Sequence, residues 1–234
     1  MSALTDAEQL DGLKSFTKKY GSSIIIGILI ALIAFFGWEY WKKKQLVAAQ
    51  VNTAKVQQLM DDAQALSGTD TAFATLSASA DKILKEAPDS VQAVQAQMLL
   101  AKVAFDAAKY ADAERALQRI ENSKIDDVGL IHVVKLRLAY AQLAQNKYDA
   151  ALKTLTAVTD PAFKATAEEA RGDVYVAKND IENAKKAYQS AWNDLIERQQ
   201  ERPILQIKLE SVGVLVEDPE IERPIIETQV EETE

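Results

Sequence analysis

The sequence predicts an all-α protein, with one N-terminal transmembrane helix followed by an α-solenoid of three to four degenerate helix-pair repeats. Three observations predict it. From Ile24 to Trp38 no charged or strongly polar side chain interrupts the chain. Beyond Lys44, apolar residues return at spacings of three and four among Ala, Leu, Gln, Lys and Glu, which is the period of a helix and not of a strand. One constellation of residues also recurs after 38 and again after 33 positions, as stacked units require.

The membrane segment comes first. Residues 22 to 41 read SSIIIGILIALIAFFGWEYW, and about 20 residues of helix rise roughly 30 Å, the hydrocarbon thickness of a bilayer. Aromatic residues stand at both edges, Phe16 and Tyr20 before the run and Trp38, Tyr40 and Trp41 at its end, where amphipathic rings suit the headgroup level. The run is longer than the apolar region of a cleaved signal, and Phe35 to Glu39 offer no small-x-small cleavage site, so an uncleaved anchor is expected. Gly27, Ala31 and Ala34 share one helical face, along which a second membrane helix can approach closely; plain lipid exposure is the simpler reading. Lys14, Lys18 and Lys19 precede the helix, and Lys42, Lys43 and Lys44 follow it. The charge bias that normally orients such a helix is therefore even and leaves the side open.

Helical periodicity then predicts helices at 45 to 66, 71 to 86, 90 to 107, 110 to 121, 128 to 145, 148 to 158, 162 to 177 and 181 to 198. Breaks such as Ser67-Gly68-Thr69, Ala87-Pro88-Asp89 and Asp160-Pro161 separate them, and connections this short make neighbours antiparallel. Placing Leu100-Ala101, Leu138-Ala139 and Arg171-Gly172 in register aligns Tyr110, Tyr148 and Ile181. It also aligns Ala113, Ala151 and Ala184, and then Leu117, Leu155 and Tyr188. Each unit is a helix, a tight turn (Ala108-Lys109, Asn146-Lys147 or Asn179-Asp180) and a second helix that opens on a bulky residue with Ala three positions later. The small residue lets the two helices close.

This pattern resembles the tetratricopeptide repeat over about residues 94 to 198, with the helices between 45 and 87 as a divergent further pair. It departs from that repeat where a Trp is expected, at Gln97, Lys135 and Glu168, and where Arg171 stands for a Leu. In such a solenoid the first helices line a concave wall that takes extended peptides or partner helices. The register turns Met98, Lys102 and Phe105 of one repeat and Val133, Leu136, Tyr140 and Leu143 of the next toward that wall. One reading is a groove for apolar polypeptide, to which Met and aromatic side chains adapt. The other, favoured because a long exposed apolar patch is a liability, is that a terminal segment carrying Ile204, Leu205, Ile207 and Leu209 covers it.

Composition excludes most chemistry. With no Cys and one His there is no thiolate nucleophile, no Cys-ligated zinc and no multi-His metal site. His132 opens an apolar helical stretch without a second ligand nearby and reads as a structural or surface residue. Glu168, Glu169 and Asp173 fall at solvent-facing spacing and pair readily with Lys or Arg. No phosphate-binding loop and no nucleophile elbow is present. No catalytic residue, metal or cofactor is therefore expected, and the protein is not read as an enzyme. The 27 Lys and Arg against 35 Asp and Glu, a net charge of -8, also argue against a nucleic-acid partner.

A short polar N-terminus, a membrane helix ending in GWEYW, and the stretches AALKTLTAV (150 to 158) and ARGDVYVAKNDIENAKKAYQSAW (170 to 192) are together similar to the YfgM family of ancillary SecYEG translocon subunits. The likeness runs from residue 10 to about 210. It implies an N-terminal segment (1 to 21) in the cytoplasm, an inner-membrane helix (22 to 41) and a repeat domain (42 to 212) in the periplasm. It also implies a non-enzymatic scaffold at the SecYEG translocon, working with a PpiD-like membrane-anchored chaperone and contacting unfolded secretory chains. The competing expectation keeps the repeats in the cytosol, as a docking platform for regulatory or signalling proteins.

The likeness does not extend to residues 213 to 234, which hold eight acids and one base, Arg223, a net of -7. Subtracting -7 from -8 leaves -1 for all the rest. That segment reads as an acidic, disordered tail. Its removal after Ser211 is expected to leave folding intact.

Overall fold

The structure, a computed structural model, describes residues 6–65 and 70–216. Its described helices are α1 (Asp6–Gln64), α2 (Asp70–Glu86), α3 (Val91–Asp106), α4 (Tyr110–Gln118), α5 (Val128–Leu143), α6 (Tyr148–Thr156), α7 (Lys164–Ala177), α8 (Ile181–Glu197) and α9 (Pro203–Ser211), with one 3-10 turn at Pro161–Phe163 ahead of α7. No strand occurs among the described residues. The chain divides into two units, one up to Ala54 and one from Lys55.

In the first unit, every described side chain from residue 25 to 47 is exposed, including Ile33 at 72 % and Trp38 at 67 %. Among the described residues this is the one helix long and apolar enough to cross a membrane. Leaving that much hydrocarbon in water would cost about 25 cal/mol for each Å², so lipid is its natural solvent. The membrane segment expected at 22 to 41 and the helix expected at 45 to 66 are parts of one helix. Helix α1 continues through Lys42, Lys43, Lys44 and Gln45 to Gln64, because these straight-chain residues favour a helix and no Pro or Gly interrupts them. Trp38 and Trp41, a turn apart at the belt, bring their ring centroids to 5.7 Å. The side chain of Phe16 lies outside the described residues.

In the second unit the helix stops repeat as the residues do. Ala108, Asn146 and Asn179 take left-handed φ values of 57°, 58° and 61°. Each is followed by an N–H that reaches five residues back: Lys109 to the Ala104 carbonyl at 2.8 Å, Lys147 to Gln142 at 2.9 Å, and Asp180 to Tyr175 at 2.9 Å. These Schellman turns satisfy the orphan carbonyls of α3, α5 and α7 and reverse the chain within two residues. They fall on the three tight turns expected from the sequence. Starts are capped by Ser90, Asp127 and Asp180, whose side chains accept from the N–H groups of Ala93, Leu130 and Asn183.

Packing follows from the register. Each helix of this unit rests on the next, and α5 also meets α7. Ala113, Ala151 and Ala184 are fully buried where the second helices cross the first, and Leu117, Leu155 and Tyr188 fill the same level of successive repeats. Tyr188 is the largest of the three, and it faces Gly172, where a methyl would sit 2.1 Å from its ring. The first two repeats place Ala101 and Ala139 there. A bigger side chain on one helix is thus matched by a smaller one on its partner. At the positions lacking the repeat's Trp, local polar contacts take over: Gln97 donates to Asp81 at 3.1 Å, Lys135 to the Ala157 carbonyl at 3.3 Å, and Arg171 pairs with Glu168 at 3.1 Å.

Two sequence expectations change here. The segment holding Ile204 to Leu209 is a helix, α9, but it caps the last repeat and does not cover the wall formed by α3 and α5. Leu205 and Leu209 are fully buried with Ala165, Tyr188 and Trp192, while Ile204 and Ile207 are each 64 % exposed. The ordered core also passes residue 212, since Val214 and Val216 pack on that same cluster. Gly213, at φ 82°, makes the turn that brings Val214 back onto it. Residues 217 to 234 lie outside the described residues.

Candidate functional site

The inner row of helices presents an apolar stretch at α3 and α5 and a charged one at α7 and α9. Of the wall residues expected from the sequence, Lys102, Phe105 and Tyr140 come together around a cavity of ≈ 390 Å³, joined by Ala101, Asp106 and Arg137. Phe105 is 38 % exposed and meets the Tyr110 ring edge-on, centroids 5.0 Å apart. Met98 and Leu136, each 7 % exposed, have turned into the core. Val133 and Leu143 are half-buried against the clusters on either side. Lys102, Phe105 and Tyr140 thus face the cavity, while Met98 and Leu136 belong to the core.

Beside this cavity lies a larger one, ≈ 630 Å³, lined by Met60, Leu99, Lys102, Val103, Asp106 and Ala107 among others. Lys102 and Asp106 belong to both. They form an i,i+4 ion pair at 2.5 Å, both well exposed, and so make a polar ridge between two apolar hollows. Arg137, on the α5 side, forms no ion pair among the described residues.

The charged stretch is a network that sequence reading placed at the surface. Glu169 is 3 % exposed; it forms an ion pair with Arg202 at 2.8 Å and accepts a hydrogen bond from Lys208 at 2.7 Å. Asp173 accepts from Lys208 at 2.7 Å and from the Tyr188 hydroxyl at 2.8 Å, and more loosely from Tyr140 at 3.3 Å. Burial, followed by the Asp173 carboxylate, pushes both phenols well above the ordinary tyrosine value. They therefore stay protonated donors at any physiological pH. Only the arrival of α9 explains this burial, and α9 is distant enough in sequence that spacing along α7 alone does not reveal it. The network ties α5, α7, α8 and α9 together.

A second buried carboxylate, Glu114, accepts from Lys147 at 2.6 Å and Gln145 at 2.8 Å. Burial raises its pKa, but those hydrogen bonds outweigh burial and hold it below the usual carboxylate value. His132 is buried against the Phe163 ring, centroids 5.6 Å apart, which is a packing role. On the anchor, Ala31 and Ala34 are exposed, and a Cβ added at Gly27 would meet open space. Tyr20, at 44 %, and Trp38, Tyr40 and Trp41 are exposed too.

The family model for the tetratricopeptide repeat-like domain matches residues 14–214. Among curated proteins, the chain is 28 % identical over 209 residues to an ancillary SecYEG translocon subunit of Neisseria gonorrhoeae, covering 89 % of this chain and 98 % of that one. It is 27 % identical, with the same coverage, to the protein of that name from Aggregatibacter actinomycetemcomitans. The Escherichia coli protein of that name is 25 % identical over 78 % of this chain and 85 % of its own length. No solved structure matches.

Proposed function

Because the chain belongs to the tetratricopeptide repeat-like domain family, we propose that it is a non-enzymatic, membrane-anchored accessory of the SecYEG translocon. The observation that carries this is coverage. Relatives named ancillary SecYEG translocon subunits align over 98 % of their own length and 89 % of this chain, so the likeness is not confined to a few repeats. In this reading α1 holds the protein in the inner membrane with its N-terminus in the cytoplasm. The repeats stand in the periplasm, where they keep a PpiD-like chaperone beside the translocon. The exposed Gly27, Ala31 and Ala34 face suits close contact with another membrane helix. The hollows at Phe105, Tyr140 and Leu99 suit apolar segments of emerging secretory chains.

Photo-crosslinkers at Ala31 and Phe105 test the two surfaces. Capture of a translocon subunit from the first, and of the chaperone or a nascent secretory chain from the second, is expected. Capture of none of these overturns the reading. Topology is tested separately, since the chain has no Cys and a Glu234→Cys variant carries a single thiol. An impermeant maleimide labels it in intact spheroplasts if the repeats are periplasmic; labelling only after lysis supports a cytosolic platform for regulatory proteins instead.

A further inference from the structure

We propose that residues 217–234 dock in the α3–α5 hollow of their own chain, as a tethered occupant that incoming polypeptide must displace. The inference rests on the groove reading above. Three features of the molecule point to it.

Charge is the first. Residues 217–234 carry eight acids against Arg223, and Arg137 stands at the hollow without an ion-pair partner among the described residues. A carboxylate arriving there meets an exposed guanidinium, whose planar fork of donors matches a carboxylate.

Side-chain pattern is the second. The acids are interleaved with Ile221, Ile225, Ile226 and Val230, whereas a segment meant only to solubilise needs no branched apolar residues. The groove offers two apolar hollows either side of the Lys102 and Asp106 ridge, to which apolar residues a few positions apart are suited. Pro219 and Pro224 bias the residues before them to extended backbone, the form such a wall takes.

Reach is the third. Helix α9 lies against α7 through Lys208 and Glu169, α7 meets α5, and α5 shares the hollow with α3. Neighbouring helix axes lie about 8–10 Å apart, so the hollow is roughly 20–30 Å from the end of α9. The stretch from Glu217 to Val230 can extend to about 45 Å at 3.3 Å per residue, which spans that gap with slack. A linker of this length gives an effective concentration in the millimolar range. A weak fit then suffices for occupancy and still yields to a better ligand. The family match stops at residue 214, so this device is an addition to the shared domain.

Disulfide trapping in the full-length protein, reconstituted in nanodiscs, tests it. Lys102→Cys with Gln229→Cys is compared with Lys153→Cys with Gln229→Cys, Lys153 being an exposed residue of α6. An intrachain crosslink at least fivefold faster for the 102 pair, and slowed severalfold by Arg137→Glu, is the expected result. Equal rates for the two pairs, or indifference to Arg137→Glu, overturn the proposal. Crosslinks found only between chains place the segment on a second copy and overturn it as well. Binding of a fluorescent extended apolar peptide is measured in parallel on the full chain and on one ending at Val216. At least threefold tighter binding to the shorter chain is expected, and unchanged affinity overturns the competitive role. No peptide binding by either chain would remove the groove reading, while the crosslinking rates still decide where residues 217–234 sit.

Discussion

At the scale of single residues, the turns hold a correctable cost. Ala108 sits at φ 57°, where its Cβ crowds the following carbonyl by roughly 1 kcal/mol and glycine meets no such penalty. Ala108→Gly is expected to stabilise the repeat unit by about 0.5–1 kcal/mol, seen as a higher midpoint in chemical denaturation. The Gly172 and Tyr188 pair works in the opposite direction. Gly172→Ala drives a methyl into the Tyr188 ring and is expected to cost about 1–3 kcal/mol. In a Tyr188→Leu background, which restores the Ala and Leu combination of the first two repeats, the same change is expected to cost far less, as a double-mutant cycle on unfolding would show. Glu114 is a pH reporter. Its folded pKa lies below the unfolded one, so its contribution is present at neutral pH and is lost as pH falls through the folded value. The stability gap between wild type and Glu114→Gln is expected to narrow as the pH falls below the ordinary glutamate range, measured by thermal melts over a pH series.

Among the elements, α9 decides how the solenoid ends. A stack of helix pairs needs a last layer to cover the apolar face of the final pair. Leu205 and Leu209 supply it with no exposed area, and Val212 follows at 7 %. Leu209→Ala is expected to cost about 2–5 kcal/mol and to open α8 and α9 before the earlier repeats, read by hydrogen exchange. The expectation that the chain tolerates loss of everything after Ser211 does not fit this packing. Val212, Val214 and Val216 lie on the α8–α9 cluster. A chain ending at Ser211 is therefore expected to be about 2–3 kcal/mol less stable than one ending at Val216, by comparison of their unfolding midpoints.

For the whole molecule, charge and chemistry divide along the chain. Subtracting the net -7 of residues 213 to 234 from -8 leaves the anchor and repeats at -1, so acidity is a property of one end. The helices from α2 to α8, the three turns and the apolar N-terminal run were legible in advance, because each depends on residues near in sequence: a run of lipid-soluble side chains, a 3.6-residue period, and a bulky residue followed by Ala. The candidate groove was legible in part. Lys102, Phe105 and Tyr140 reach the hollow, whereas Met98 and Leu136 do not, because a periodicity gives a face only to within a turn and packing against the neighbouring helices settles the rest.

By itself the sequence determined the class of the fold, the apolar N-terminal helix, the repeat register and a likeness to ancillary translocon subunits. The first three follow from composition and local spacing, which act through propensity, capping and hydrophobic periodicity, and the likeness rests on matching stretches of sequence. Tertiary structure alone decided that α9 caps the last repeat and leaves the wall open, and that Glu169 is buried between Arg202 and Lys208. It also decided that Arg137 faces the hollow unpaired among the described residues. Burial and pairing of this kind depend on residues 30 or more positions apart meeting across a stack, and no local pattern records which helix will arrive to cover a given face.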